Sequence, residues 1–546
     1  MNSVNIASYL PAMAASQANT LAVAVQSDDK NFPRYTYHEL NEISDTLARG
    51  LQEYGIGKGT RTVLMVTPGL EFFALVFALF KVGAVMIAVD PGIGRENLAQ
   101  CLEEAEPEAF IGVARAHIAR LIFSWARASL KINIVVEPKP LLGFFMKDMS
   151  TLLEAGRQSQ KPAINEVEAK DCAAILFTSG STGVPKGVEY SHQNFTAQVQ
   201  ALRELYDIKP GEIDLATFPL FALFAPALGM TSIIPQMDFT RPGEVDAAKI
   251  FAAVEQFSAT TMFGSPALID RVGKWGVENG KRMPTLKRAI SAGAPVSAAV
   301  IQRFSSFLEK DVQVFTPYGA TEALPVASIG SHEILNETGR KSAEGSGVCV
   351  GKVVAGLNVS IITISDEKLK NSSRVELAKP GQIGEITVQG AQVTASYYNR
   401  AESTELAKIR DGDSFYHRMG DLGYFDEQER LWFCGRKSER VELADKTLFT
   451  ACVEGVFNAH ARVKRSALVG IKKGDLTVPL ICVELEADSQ HTDKRVLSQE
   501  LLDMGSHYEN TAMIQTFLIH PGFPVDIRHN AKIVRPQLAE WAQEQV

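Results

Sequence analysis

Apolar positions in the first three hundred residues cluster into short β-rich runs, separated by stretches with helical spacing. Thr62 to Val66 is one such run, Glu71 to Lys81 has the length and make-up of a buried helix, and Ala84 to Val89 is a second run, ending at Asp90-Pro91. The stretch Phe72 to Val89 matches a membrane span in length, but Lys81 and Gly83 interrupt it near the middle. A helix running into a strand fits better. The order strand, helix, strand predicts a parallel βαβ unit. It recurs at Ala259 to Phe263, with a helix from Ser265, and at Leu286 to Ser291, with a helix over Ser297 to Leu308 and a strand at Val312 to Phe315. Repeated alternation of this kind is the mark of an α/β architecture.

After about Gly351 the pattern changes. Val359 to Ile364 and Ile383 to Val388 alternate like half-exposed antiparallel strands. Gly423-Tyr424-Phe425 and Leu431 to Cys434 flank the polar segment Asp426 to Arg430, which predicts a hairpin turn. The last hundred or so residues predict a small α+β unit, with helices at Phe449 to Asn458 and near Arg495 to Met504, and strands at Ser466 to Val469 and Leu480 to Glu486. The charged run Arg436 to Arg440 has no apolar period. It divides the chain into a large domain, residues 1–437, and a small one, residues 438–546. The expected fold is α/β: a multi-subdomain N-terminal part with mixed α/β sheets and a distorted antiparallel β subdomain, and a mobile α+β C-terminal domain.

A chain of 546 residues is longer than one core usually supports, in keeping with several subdomains. A net charge of −8 speaks against a nucleic-acid footprint. The six cysteines form no Cys-x-x-Cys pair, which fits reduced thiols and no zinc site. Met1 to Thr20 lacks a basic n-region, and no stretch reads as a transmembrane segment, so a cytoplasmic protein is expected.

Chemistry concentrates first in Phe177-Thr178-Ser179-Gly180-Ser181-Thr182-Gly183-Val184-Pro185-Lys186-Gly187, directly after the apolar run Ala173 to Leu176. Glycines let successive N–H groups converge, hydroxyls add donors and Lys186 adds a point charge, which together suit a polyphosphate. The loop is not a Walker P-loop, because Pro185 precedes the lysine and Gly187 follows it. Thr316-Pro317-Tyr318-Gly319-Ala320-Thr321-Glu322 follows the strand Val312 to Phe315, at a position where open α/β sheets bind ligands. A tyrosine can stack on a purine, a threonine can donate to phosphate, and a glutamate suits Mg²⁺. Ser291-Ala292-Gly293-Ala294-Pro295 presents small residues that permit close approach of a flat ring. In His417-Arg418-Met419-Gly420-Asp421, an ionised aspartate at a strand end can accept two hydroxyls.

In this order the segments resemble the signatures of adenylate-forming enzymes: acyl-CoA synthetases, peptide-synthetase adenylation domains and luciferases. The resemblance spans roughly Ala173 to Ile533. It implies ATP and Mg²⁺ as cofactors, with nucleotide contacts from Thr178, Ser179, Gly180, Ser181, Thr182, Gly183, Lys186, Gly293, Ala294, Pro295, Tyr318, Gly319, Ala320, Thr321, Asp421, Arg436 and Lys532. It implies Glu322 as the metal ligand, and Thr321, Glu322 and Lys532 as the catalytic set. Met419 and Ala531 replace residues usual in the family, a threonine and a glycine, while Asp421 and Lys532 are kept. Amino-acid-activating relatives carry an aspartate where this chain has Phe218 to Phe224, which has no carboxylate. An acyl pocket built from Phe221, Ala222, Phe224, Met230 and Gly264 is expected instead. Ser438 occupies the hinge position, and the loop that follows it, Arg440 to Thr447, has no glycine. Relatives that use CoA usually keep one there, so the loop speaks against thioester formation.

A narrower resemblance joins Val89 to Gly94, Phe221 to Phe224, His417 to Asp426, Leu431 to Lys437 and Asp526 to Lys532 to the β-lactone synthetases of bacterial long-chain olefin biosynthesis. It implies activation of a fatty, β-hydroxy acid as its adenylate and closure by the substrate's own hydroxyl, with other enzymes of the same lipid pathway as possible partners. The alternative is a long-chain fatty-acyl-CoA or fatty-acyl-AMP ligase that loads CoA or an acyl carrier protein.

Overall fold

The structure, a computed structural model, describes residues 4–27, 32–89, 93–137, 146–178, 184–218, 224–525 and 532–546. The expected βαβ unit is present. Strands Arg61–Met65 and Val85–Ala88 pair in parallel across the helix Leu70–Lys81. Every residue of that helix from Phe72 to Lys81 is buried. Lys81, which argued against a membrane span, is accommodated by partners. Its ammonium donates to Asn41 Oδ1 (2.9 Å), Ser44 Oγ (2.8 Å) and Asp45 Oδ1 (2.6 Å). Among the described residues no helix is long and apolar enough to cross a membrane.

These strands belong to a seven-stranded sheet whose last two members, Cys172–Phe177 and Gly187–Ser191, pair antiparallel. The connection between them carries the Thr178 to Lys186 segment. A second sheet, of fourteen strands among the described residues, contains a run of parallel members, among them Ile213–Ala216, Thr261–Gly264, Arg288–Ser291 and Gln313–Ala320. It continues without a break into antiparallel ones: Ala323–Gly330, Val348–Val353, Leu431–Arg436, Ser414–Phe425, Gly384–Gln389 and Asn358–Ile362. The antiparallel region is therefore hydrogen-bonded to the α/β region. The change of direction falls at Thr321-Glu322, some thirty residues before the change of texture near Gly351.

Two motif placements are corrected here. The strand expected to stop at Phe315 runs on to Ala320, because its antiparallel partner supplies hydrogen bonds through Tyr318↔Ala327 and Ala320↔Ala323. Thr316 to Ala320 are thus strand residues, and Thr321 and Glu322 form the turn. Asp421, expected at a strand end, lies inside Ser414–Phe425, opposite Arg436.

The C-terminal unit contains the two expected helices, Thr450–Phe457 and Lys494–Ser506, and the two expected strands, Val463–Lys473 and Leu476–Leu485, and adds a helix, Arg535–Glu544, and a strand, Phe517–Ile519. The glycine-free segment after Ser438 is a short hairpin, Val441–Glu442 against Thr447–Leu448. Val441 and Leu448 are buried in the core of this unit. The unit docks on the large sheet where Gly435, at φ +129°, leaves no room for a side chain. A Cβ there would lie 2.2 Å from Thr450 Oγ1.

Candidate active site

The site forms where the hairpins of the two sheets meet. Thr178 and Lys186 clasp the base of the first connection: Thr178 N–H donates to the Lys186 carbonyl, and Lys186 N–H donates to Thr178 Oγ1, both at 3.1 Å. Gly187 is required immediately after, since a Cβ would lie 2.8 Å from Ile175 Cγ2. Ser179, Gly180, Ser181, Thr182 and Gly183 lie outside the described residues. The Lys186 ammonium sits 5.1 Å from the centre of the Tyr397 ring.

Tyr397 connects this lysine to the second motif. Its hydroxyl donates to Glu322 Oε1 at 2.6 Å. Burial and the nearby Glu322 charge both raise the Tyr397 pKa, so the phenol stays protonated and remains a donor. Thr394 N–H donates to the Glu322 carbonyl at 2.9 Å, and the Tyr190 hydroxyl donates to the Thr321 carbonyl. The turn is thus held from the strand Gly187–Ser191 and from the segment that carries Thr394 and Tyr397. Below it, the buried Lys408 ammonium donates to the Thr394 carbonyl, and desolvation brings its pKa down to about 7 despite Glu322. His417, paired with Lys408 across the strands, is also buried and held neutral, chiefly by desolvation.

The third cluster joins residues far apart in the chain. Tyr318 Oη donates to Asp421 Oδ2 at 2.7 Å, and Arg436 Nε lies 3.4 Å from Asp421 Oδ1. Asp421 is 3% exposed, and Oδ1 has no hydrogen-bond partner among the described residues, so it retains acceptor capacity. Desolvation raises its pKa and Arg436 opposes the rise. Tyr318, expected to face a purine, has its hydroxyl on the carboxylate expected to take the ribose. The segment from Ser291 leaves the end of its strand with Gly293 at φ +105°, a left-handed conformation suited to glycine.

An apolar cavity of about 70 Å³ opens beside these strand ends. Ala292 and Pro317, from the two motifs, line it together with Phe224, Leu228, Met230, Phe263 and Ile290. Phe224 and Met230, two of the residues expected in an acyl pocket, are among them. Gly264 is not part of the lining: a Cβ on it would lie 3.0 Å from Leu268 Cδ2, so this glycine serves helix packing. Phe221 and Ala222 lie outside the described residues.

Lys532 is half-buried in the C-terminal unit, next to Ile533, which bridges to Val525. Arg535 fixes this segment through Glu439 (2.8 Å) and Glu454 (2.6 Å). Ser438 is exposed in the turn Lys437–Glu439. Sequence reasoning missed Tyr397, Tyr190, Thr394 and Lys408. No local signal marked them beyond the aromatic pair Tyr397-Tyr398, because their roles arise from contacts with distant turns.

Strand ends with anion-suited polar groups on one side and an apolar cavity on the other fit enzymes that activate an organic acid with a nucleotide. A profile of AMP-binding enzymes matches residues 12–398, and the chain belongs to that family of acyl-adenylate-forming ligases. It is 46% identical to the olefin beta-lactone synthetase of Stenotrophomonas maltophilia, covering 99% of this chain and 98% of that protein. It is 45% identical, with the same coverage, to the olefin beta-lactone synthetase of Xanthomonas campestris pv. campestris. The long-chain-fatty-acid–CoA ligase of Salmonella typhimurium is more distant, at 24% identity over 85% of this chain and 83% of that protein. Among solved structures, the fold resembles an amide bond synthetase from Marinactinospora thermotolerans (TM-score 0.80, 19% identity, 98% and 99% coverage). It also resembles the O-succinylbenzoate coenzyme A synthetase of Bacillus subtilis in complex with ATP and magnesium ion (TM-score 0.74, 20% identity, 97% and 98% coverage).

Proposed function

We propose that this ligase activates a β-hydroxy fatty acid with ATP and closes it to a β-lactone. The observation that carries this reading is the likeness, over nearly the full length of both chains, to two olefin beta-lactone synthetases. The apolar cavity beside Ala292 and Pro317 suits an alkyl chain, and the packed, glycine-free hairpin after Ser438 offers little freedom for admitting CoA.

In the first step the substrate carboxylate oxygen attacks the α-phosphorus, and the bond to pyrophosphate breaks. The Thr178 to Lys186 connection grips the phosphates, and Asp421 with Arg436 takes the ribose. Lys532 meets the charge that builds on the α-phosphate, a role worth a factor of 100 or more for a preorganised group. Residues 1–437 act as the nucleotide domain, and residues 438–546 turn about Ser438 to bring Lys532 in. In the second step the substrate hydroxyl oxygen bonds to the acyl carbon and loses its proton, while AMP leaves with the electrons of the acyl–oxygen bond. Tethering raises the effective concentration of this nucleophile and offsets part of the ring strain.

Magnesium fits the Glu322 turn. Mg²⁺ is commonly held by one or two carboxylates plus substrate phosphates. Glu322 Oε1 is oriented by Tyr397, and among the described residues no cluster of three acidic, histidine or cysteine side chains forms a separate metal cage. When bound there, the ion supplies charge neutralisation between phosphates.

The test is incubation with ATP, Mg²⁺ and either a β-hydroxy fatty acid or the plain fatty acid, with and without CoA, read by mass spectrometry. The hydroxy acid should give AMP, pyrophosphate and a neutral product one water lighter, and the plain acid should stop at the adenylate. CoA-dependent thioester from both acids, without lactone, would replace this reading with that of a fatty-acyl-CoA ligase.

A further inference from the structure

The apolar cavity contains one group that its lining does not explain. Asp214 lies in the strand Ile213–Ala216 and lines the same cavity as Phe224, Leu228 and Phe263. Register shows its depth. Asp214 pairs with Thr261, which pairs with Arg288, forming a polar row across three parallel strands. Two residues further along, on the same face, come Ala216, Phe263 and Ile290, an apolar row. Beyond that row the strands reach Ser291 and Ala292, at the nucleotide end of the cavity. The Asp214 row therefore lies about 13 Å from Ala292, four residues of strand rise.

The other polar groups on the cavity wall, and Arg288 in the same row as Asp214, are occupied. Arg288 donates to Thr261 Oγ1 at 2.8 Å and to both oxygens of Glu212. Tyr206 Oη is 3.1 Å from Ser328 Oγ, and Gln198 bonds to Tyr190. Among the described residues the Asp214 carboxyl has no hydrogen-bond partner. Burial pushes its pKa up to about 7, with Arg288 opposing, as expected for a carboxyl facing apolar space. A hydrophobic side chain there would simply lengthen the apolar wall.

We propose that Asp214 is the chain-length stop of the acyl channel: its carboxyl ends the apolar lining, so alkyl tails that reach its row gain nothing from further methylenes. Burying a tail against this group requires desolvating a polar side chain that the tail cannot satisfy. Shorter tails contact only the Phe263 and Ile290 row. The inference rests on the cavity being the acyl channel, and it does not depend on lactone closure.

The experiment measures pyrophosphate release for a series of straight-chain fatty acids with wild type, Asp214→Leu, Asp214→Asn and Leu202→Trp. Wild-type kcat/KM should rise with length and then level off. Asp214→Leu should keep rising past that plateau, by about fourfold per added methylene, the transfer gain of one buried CH₂. Most of that change should appear in KM. Asp214→Asn, still polar, should keep the wild-type plateau. Leu202→Trp, which fills the cavity from the facing helix, should move the plateau to shorter acids. If Leu202→Trp shifts the plateau and Asp214→Leu does not, the cavity is the channel and the stop lies elsewhere. If neither variant shifts it, the acyl channel is not this cavity, and the assignment of Asp214 fails with it. Equal loss at every length in both Asp214 variants would make the residue structural and overturn the proposal as well.

Discussion

At the scale of single residues, the most consequential contacts are those that orient a carboxylate. Tyr397 holds one oxygen of Glu322, and among the described residues the other accepts no hydrogen bond, which suits the proposed contact with a cation. A hydrogen bond to a charged group is worth about 1.5–3 kcal/mol. Tyr397→Phe should therefore lower the rate of pyrophosphate release by roughly tenfold or more, and a Mg²⁺ titration should show a raised half-saturation point. An unchanged titration would mean that the phenol does not position the metal ligand. Asp214 gives a prediction of opposite character, about stability. Its folded pKa, about 7, stands above the ordinary carboxylate value of roughly 4. Between those values the folded chain binds the extra proton, so stability falls as pH rises through that window, and the loss is complete above pH 7 or so. Asp214→Asn removes the ionisation. Its melting temperature should exceed that of wild type by more at pH 8 than at pH 5, and a pH-independent difference would show that the carboxyl is not desolvated. Both residues illustrate the limits of legibility. Glu322 stood out in the sequence because a turn motif surrounded it, whereas Tyr397 acquires its role only by lying seventy-five positions away in the chain and 2.6 Å away in space.

At the scale of elements, the strands and helices formed largely where hydrophobic periodicity placed them, and the two displaced motifs share one cause. Gln313–Ala320 was expected to end at Phe315, where the apolar run stops and Pro317 and Gly319, both depleted in strands, soon follow. A neighbouring antiparallel strand supplies ladder partners and overrides local preference. Asp421 likewise sits within a strand because Arg436 faces it from the next one. Glycine at such contacts is a packing requirement. Gly435→Ala places a methyl against Thr450 at the junction with the C-terminal unit, in a backbone conformation that L side chains rarely adopt. A loss of about 2 kcal/mol or more is expected. It should appear as faster proteolysis of the C-terminal unit and a lower unfolding midpoint. Unchanged protease resistance would show that the junction can separate without cost.

At the scale of the whole molecule, the C-terminal unit ties its hinge-side end to its own core through charge. Arg535, close to Lys532 in sequence, links Glu439 beside Ser438 to Glu454 in the core of the C-terminal unit. Removing one partner of a buried ion pair leaves a charge without compensation, at a cost of about 3–5 kcal/mol. Arg535→Ala should lower the unfolding midpoint and also depress adenylate formation, the step proposed for Lys532, whereas Arg535→Lys should recover part of both. Loss of stability without loss of adenylate formation would separate this clasp from the placement of Lys532. The sequence by itself determined the α/β class, the βαβ units, the order of the nucleotide motifs and the composition of the small C-terminal unit, because each depends on periodicity or spacing within a few tens of residues. Only the tertiary structure decided that parallel and antiparallel strands form one continuous sheet, that Tyr318 meets Asp421 and Tyr397 meets Glu322, and that Asp214 faces an apolar cavity. Those pairings join residues with little local signal, and they are selected by which strands become neighbours once the hydrophobic faces are buried.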